Sequence, residues 1–215
     1  MQKFGFLFDL DGVIIDSESE YSRIWAQINK EYPTGIKSLE EVIKGTTLEN
    51  ILATHYPDDK IKEKVKKRLY ELEKLMKYEY LPGAHEFLLL LKEKGYPMAL
   101  VTSSDNAKME HLKEELPDLM PLFDVIITAE RITKSKPDPE GYLKAASDLG
   151  VNIKNSFVFE DSLQGVKAGN NAGAFVVGKA GTLPAEKLLP YSDLIIETFE
   201  GLNLNNLLHR IEQNE

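Results

Sequence analysis

The sequence contains no cysteine, which excludes disulfides and thiolate metal sites and suits a reducing compartment. No apolar run approaches the ~20 residues needed to cross a bilayer. No GxxxxGK[ST] loop occurs, so a nucleotide-hydrolysing P-loop is not expected. Positive charge is also short: 26 Lys and Arg stand against 35 Asp and Glu, a net charge of -9. That balance argues against a general nucleic-acid binder, which carries a basic footprint. The chain starts straight into an apolar strand pattern without a basic region or cleavage site, so no signal peptide is expected. Internal repeats and low-complexity tracts are absent. These absences describe a cytoplasmic protein with neither nucleic acid nor membrane as partner.

What is present is an ordinary globular composition, with 42% hydrophobic and 28% charged residues over 215 positions. That length suits one sizeable domain, or a domain carrying an insertion. From residue 83 onward, short apolar runs alternate with helical segments of ten or so residues. MALV, DVII, FVFE, FVVG and LIIE read as strands, and Gly95 and Gly150 stop the helices before two of them. Such alternation implies parallel βαβ units in a doubly wound sheet. The strands are nearly continuous apolar runs, as expected where helices cover both faces.

The first strand, residues 4–8, lies far from the others in sequence. Residues 16–82 between them read as all helical. Ile61, Val65, Leu69, Leu72 and Met76 recur at helical spacing, and the lysines and glutamates among them form a solvated face. The expected organisation is therefore an α/β core of residues 1–15 and 83–215, interrupted by a helical domain of residues 16–82. The two junctions form a natural hinge.

In open α/β sheets, ligands bind beyond the carboxyl ends of the strands. Four of those ends carry chemistry. The first ends in FDLDG, with Asp9, Asp11 and Gly12; the second in LVTSS, with Thr102, Ser103 and Ser104. The third runs into SKPDP with Lys136, and the fourth ends in FEDS with Glu160 and Asp161. Each has a plain structural reading when taken alone. Thr-Ser-Ser-Asp and Glu-Asp-Ser are good helix caps, and Lys136 suits a solvated loop. A calcium loop is excluded for the first motif, because the glycine required at its sixth position is Ile14.

Taken together, the four ordered motifs resemble the haloacid dehalogenase superfamily. The match is to members with a helical cap inserted behind the first motif, a group that includes small-molecule phosphatases and β-phosphoglucomutase. The resemblance covers essentially the whole chain. It implies that Asp9 is a nucleophile forming an aspartyl-phosphate, and that Asp11 is the acid and base serving the leaving group and water. Thr102, Ser103 and Lys136 would hold the phosphate. Asp9, Asp11 (through its backbone carbonyl), Glu160 and Asp161 would bind Mg2+, since four clustered carboxylates cannot receive a phosphate dianion without a cation.

The helical insertion bears on the substrate. Where β-phosphoglucomutase carries a histidine on its first cap helix, this chain has Tyr21. Where the mutase has an arginine that grips a second phosphate, this chain has Leu48. Loss of a bidentate anion clamp favours hydrolysis over mutase chemistry. Dehalogenation is disfavoured because that branch lacks the second aspartate of FDLDG. A non-catalytic binding module would be expected to show a damaged motif, and none is damaged. Arg23, Lys44, Thr46 and Thr47 are the expected substrate-recognition residues of the cap. The expected substrate is a small phosphorylated metabolite, sugar-phosphate-like, because a cap would hinder macromolecules. The chain is read as a monomer or weak homo-oligomer.

Overall fold

Phe6 and Phe8 of the first apolar run stack on Phe157 and Phe159 of the fourth, with ring centroids 5.0 and 4.6 Å apart. This pairing sits at the centre of a parallel sheet in the computed structural model, which describes residues 4–43 and 48–213. The strands are β1 (Gly5–Phe8), β2 (Met98–Val101), β3 (Val125–Ile127), β4 (Ser156–Glu160), β5 (Phe175–Lys179) and β6 (Leu194–Ile196). They lie in the order β3-β2-β1-β4-β5-β6, and each neighbouring pair is parallel. The first strand therefore pairs with strands from the later part of the chain, as the alternating pattern requires. The order reverses between β1 and β4, the switch point where such sheets open a crevice for a ligand.

Successive strand residues face opposite sides. Phe6, Phe8 and Phe159 meet Phe87 on one face, where Phe8 and Phe159 also meet Phe199. Leu7, Ala99, Val101 and Val158 pack on the other against Tyr142, Ala145, Ala146, Ala168 and Ala172. Both faces are dry, which explains why these runs do not alternate with polar residues.

Among the described residues, a separate compact unit, Ser17–Tyr78, holds four helices: α1 (Ser17–Glu31), α2 (Leu39–Val42), α3 (Leu48–His55) and α4 (Asp59–Glu73). Asp58 caps α4 by accepting from the amides of Lys60 and Ile61. Arg68 of α4 forms a bidentate pair with Glu31 of α1, at 2.8 and 2.9 Å. Val65, Leu69 and Leu72 are buried as their spacing predicts. Two members of the same stripe depart from it. Ile61 is 39% exposed, and α4 ends before Met76, which is buried from the following turn.

The α/β unit comprises Met1–Asp16 and Glu79–Glu215. Its outgoing and returning chains run side by side: Asp16 donates to Glu79 and Leu81 donates to Ile14, at 3.0 and 2.8 Å. Residues 79–82 thus belong with the sheet rather than with the helices. The remaining helices of this unit are α5 (Ala84–Glu93), α6 (Asn106–Glu115), α7 (Glu140–Leu149), α8 (Leu163–Ala172), α9 (Ala185–Leu188) and α10 (Leu204–Gln213). Gly150 and Gly173 end α7 and α8 in the left-handed conformation. No described helix is long and apolar enough to cross a membrane.

Candidate active site

The β1 ladder continues one residue past the strand, where the Asp9 amide donates to the Phe159 carbonyl at 3.0 Å. This bond fixes Asp9 at the switch point beside the end of β4. Lys136 arrives from the loop before α7. Its ammonium pairs with Asp9 Oδ1 and Glu160 Oε1 and donates to the Val101 carbonyl at 3.2 Å. Burial works against this charge, but Asp9 and Glu160 outweigh it and hold the ammonium above the ordinary lysine range.

Glu160 is fully buried and its oxygens are occupied. The Tyr142 hydroxyl donates to Oε1 at 2.7 Å. Oε2 accepts from the Ser162 hydroxyl at 3.1 Å and the Asp161 amide at 3.2 Å. The Ser162 hydroxyl also caps α8 by accepting from Gly165. The Tyr142 ring lies 5.2 Å from the Lys136 ammonium, so one side chain supports both charges.

Asp161 lies against Gly12. That glycine has φ of 72°, and a Cβ on it would strike the Asp161 carboxylate and the Thr182 hydroxyl. Gly12 therefore serves twice: it turns the chain, and it admits a second carboxylate beside Asp9. Oxygens of Asp9, Glu160 and Asp161 converge within 4.8 Å of one another. Burial, opposed by Lys136, holds Asp9 well above the usual carboxylate range. Burial, with Glu160 next, pushes Asp161 up to about 7. Crowded oxygen donors with too little resident positive charge suit a hard divalent cation, and the residues present fit one.

Asp11 is reached from the other side of β1. Ser104 Oγ donates to its Oδ2 at 3.2 Å, and Lys108 Nζ approaches Oδ1 at 2.6 Å. Thr102 is 2% exposed, and its hydroxyl accepts from the Ser104 amide at 3.0 Å. Ser103 is exposed. The four strand ends named from sequence are thus gathered at one edge of one sheet.

The sequence profile of the haloacid dehalogenase-like hydrolases matches residues 6–179. Hexitol phosphatase A of Escherichia coli is 31% identical, over 93% of this chain and 93% of its own. The chain belongs to this family. β-Phosphoglucomutase of Bacillus subtilis is 30% identical, over 96% of this chain and 95% of its own. The crystal structure of a family IA hydrolase from Entamoeba histolytica superposes with a TM-score of 0.79 at 26% identity, covering 99% of this chain and 100% of that one. Kinship with named phosphatases makes the chain a hydrolase of phosphoric monoesters.

In this haloacid dehalogenase-like hydrolase, the helical unit holds a cavity of about 300 Å3 lined by Tyr21, Trp25 and Leu48 together with Glu18, Glu40 and Glu73. None of its described lining residues is basic. Arg23 is exposed and ion-paired with Glu20 one turn away. Lys44, Thr46 and Thr47 lie outside the described residues. Sequence reasoning missed Lys108, Tyr142 and Thr182. Tyr142 sits six positions beyond Lys136 in a helix whose apolar stripe hides it as core. Lys108 offers one signal: it is a cation in the first turn of α6, the wrong end of the helix dipole for a positive charge.

Proposed function

We propose that the protein is a Mg2+-dependent phosphatase of a small sugar- or polyol-phosphate, working through an aspartyl-phosphate on Asp9. The observation that carries this reading is the buried cluster of Asp9, Lys136, Glu160 and Asp161 at the switch point of the sheet. Asp9 attacks phosphorus as the bond to the leaving oxygen breaks, and Asp11 gives that oxygen a proton. Water then attacks the aspartyl-phosphate, Asp11 takes the water's proton, and inorganic phosphate leaves. Lys136, Thr102 and Ser103 bear the phosphate oxygens.

Asp9, Asp161 and the Asp11 carbonyl would hold the ion directly, with Glu160 behind them, already bonded to Lys136, Tyr142 and Ser162. When bound, the ion supplies positive charge against the phosphoryl oxygens. Its identity as Mg2+ is supported by the all-oxygen donor set. The absence of cysteine agrees with a cytoplasmic location.

A mutase is the second reading, supported by likeness to the Bacillus subtilis enzyme. A mutase must grip a bisphosphate, and where such an enzyme carries an arginine clamp this chain has Leu48. Phosphate release from a panel of phosphorylated metabolites, with glucose 1-phosphate isomerisation followed in the same samples, separates the two. Release that needs Mg2+ and disappears in Asp9→Asn is the expected result. Isomerisation without release would reverse the reading.

A further inference from the structure

Asp11 is a half-exposed side chain on the loop that leaves β1. Two partners of its carboxylate come from the stretch around the start of α6. Ser104 Oγ reaches Oδ2 at 3.2 Å and Lys108 Nζ reaches Oδ1 at 2.6 Å. Each partner is itself anchored. The Ser104 amide donates to Thr102 Oγ1 at 3.0 Å, and the Lys108 amide donates to the capping carboxylate of Asp105 at 2.9 Å. The Asn106 amide is held by Glu130 at 2.8 Å. The Lys108 side chain is only 18% exposed, which is unusual for a lysine in the first turn of a surface helix. A cation there opposes the helix dipole and sacrifices side-chain freedom, so its placement calls for a compensating role.

We propose that Lys108 is a positioning residue, fixing the Asp11 carboxylate and reserving Oδ2 for the proton that this residue transfers. The reason lies in donor chemistry. An ammonium has donors only and cannot share Oδ1 with a second proton. A hydroxyl both donates and accepts, so Ser104 accommodates Oδ2 with or without its hydrogen. The two partners thus make the oxygens of Asp11 inequivalent and orient one for proton transfer. This inference rests on the reading of Asp11 as the acid and base.

The test compares phenyl phosphate with p-nitrophenyl phosphate, two substrates of similar shape whose leaving groups differ in their need for a proton. In Lys108→Met, kcat/KM for phenyl phosphate should fall by ~10- to 100-fold, within the usual span of general acid catalysis. The fall for p-nitrophenyl phosphate should be several-fold smaller. The double variant Lys108→Met/Asp11→Asn should be no slower than Asp11→Asn alone, since residues acting as one unit are not additive. Equal losses on both substrates, or losses that multiply in the double variant, would overturn the proposal. If Asp11→Asn by itself keeps full turnover of phenyl phosphate, the reading of Asp11 fails instead. Unchanged circular dichroism and thermal midpoint in each variant tie the rates to the site rather than to folding.

Discussion

Gly165 lies so close to Glu160 that one added carbon would fall inside the glutamate's carboxylate. The glycine sits in the first turn of α8, directly behind the site. Gly165→Ala should therefore be destabilising even though alanine is the better helix former by ~1 kcal/mol. Glu160 cannot yield, because Lys136, Tyr142 and Ser162 all hold it. Overpacking of this kind costs ~1–3 kcal/mol. Urea unfolding should show the loss, and phosphatase activity should fall with it. A variant as stable as the parent would mean that Glu160 has room to move.

Lys136 balances two buried carboxylates, so its removal should be more damaging than its loop position suggests. Lys136→Met would leave Asp9 and Glu160 buried without their shared cation. Breaking one partner out of a buried ion pair costs ~3–5 kcal/mol. The expected signature is a large drop in denaturation midpoint at pH 8 that shrinks at pH 5, where protonation relieves the repulsion. A loss equally large at both pH values would point to lost packing of the lysine stem instead.

The sheet was legible because its strands are dry on both faces, and an apolar run such as FGFLF has no competing helical spacing. The site's carboxylates were legible because strand ends in this topology have few other uses for charge. The supporting shell was hidden for the opposite reason. Tyr142 looks like one more apolar member of a helix stripe, and its hydroxyl partner is 18 residues away. Lys108 stands among the lysines and glutamates of α6, where most charges face solvent, and its partner lies 97 residues away. The end of α4 was overrun because Met76 is buried like the stripe before it, although the helix stops at Glu73. Burial without helical geometry satisfies the same periodicity.

Asp161 predicts how the metal-free protein responds to pH. Its carboxyl, raised to about 7 by burial and then by Glu160, compares with ~3.9 in an unfolded chain. The folded state therefore holds this proton more tightly than the unfolded state does. Its favourable contribution is complete below pH ~4 and is lost as pH rises through about 7. Asp9, also raised by burial, acts in the same direction. In chelator, the thermal midpoint should fall between pH 5 and 8, and Asp161→Asn should flatten that fall while abolishing turnover. Added Mg2+ should restore the midpoint at pH 8 and release protons, measurable in weakly buffered solution. A midpoint that rises with pH in chelator would contradict the assignment.

Trp25 is the only tryptophan and lines the cavity with Glu18, Glu40 and Glu73, which makes it a reporter of what that cavity accepts. A phosphate entering this cavity would meet carboxylates, each at a cost on the order of 1 kcal/mol for an effective dielectric near 20. Titrating Asp9→Asn protein, which should bind without turnover, with mannitol 1-phosphate should change Trp25 emission and saturate. Glucose 1,6-bisphosphate should need ~10-fold or more higher concentration for the same change, since ~1.4 kcal/mol is tenfold in affinity. Combining Glu40→Gln with Glu73→Gln should narrow the gap by weakening the discrimination rather than by improving the monophosphate. Equal half-saturation for both ligands before any substitution would show that these glutamates do not read the substrate's charge. Tighter binding of the bisphosphate would restore the mutase reading.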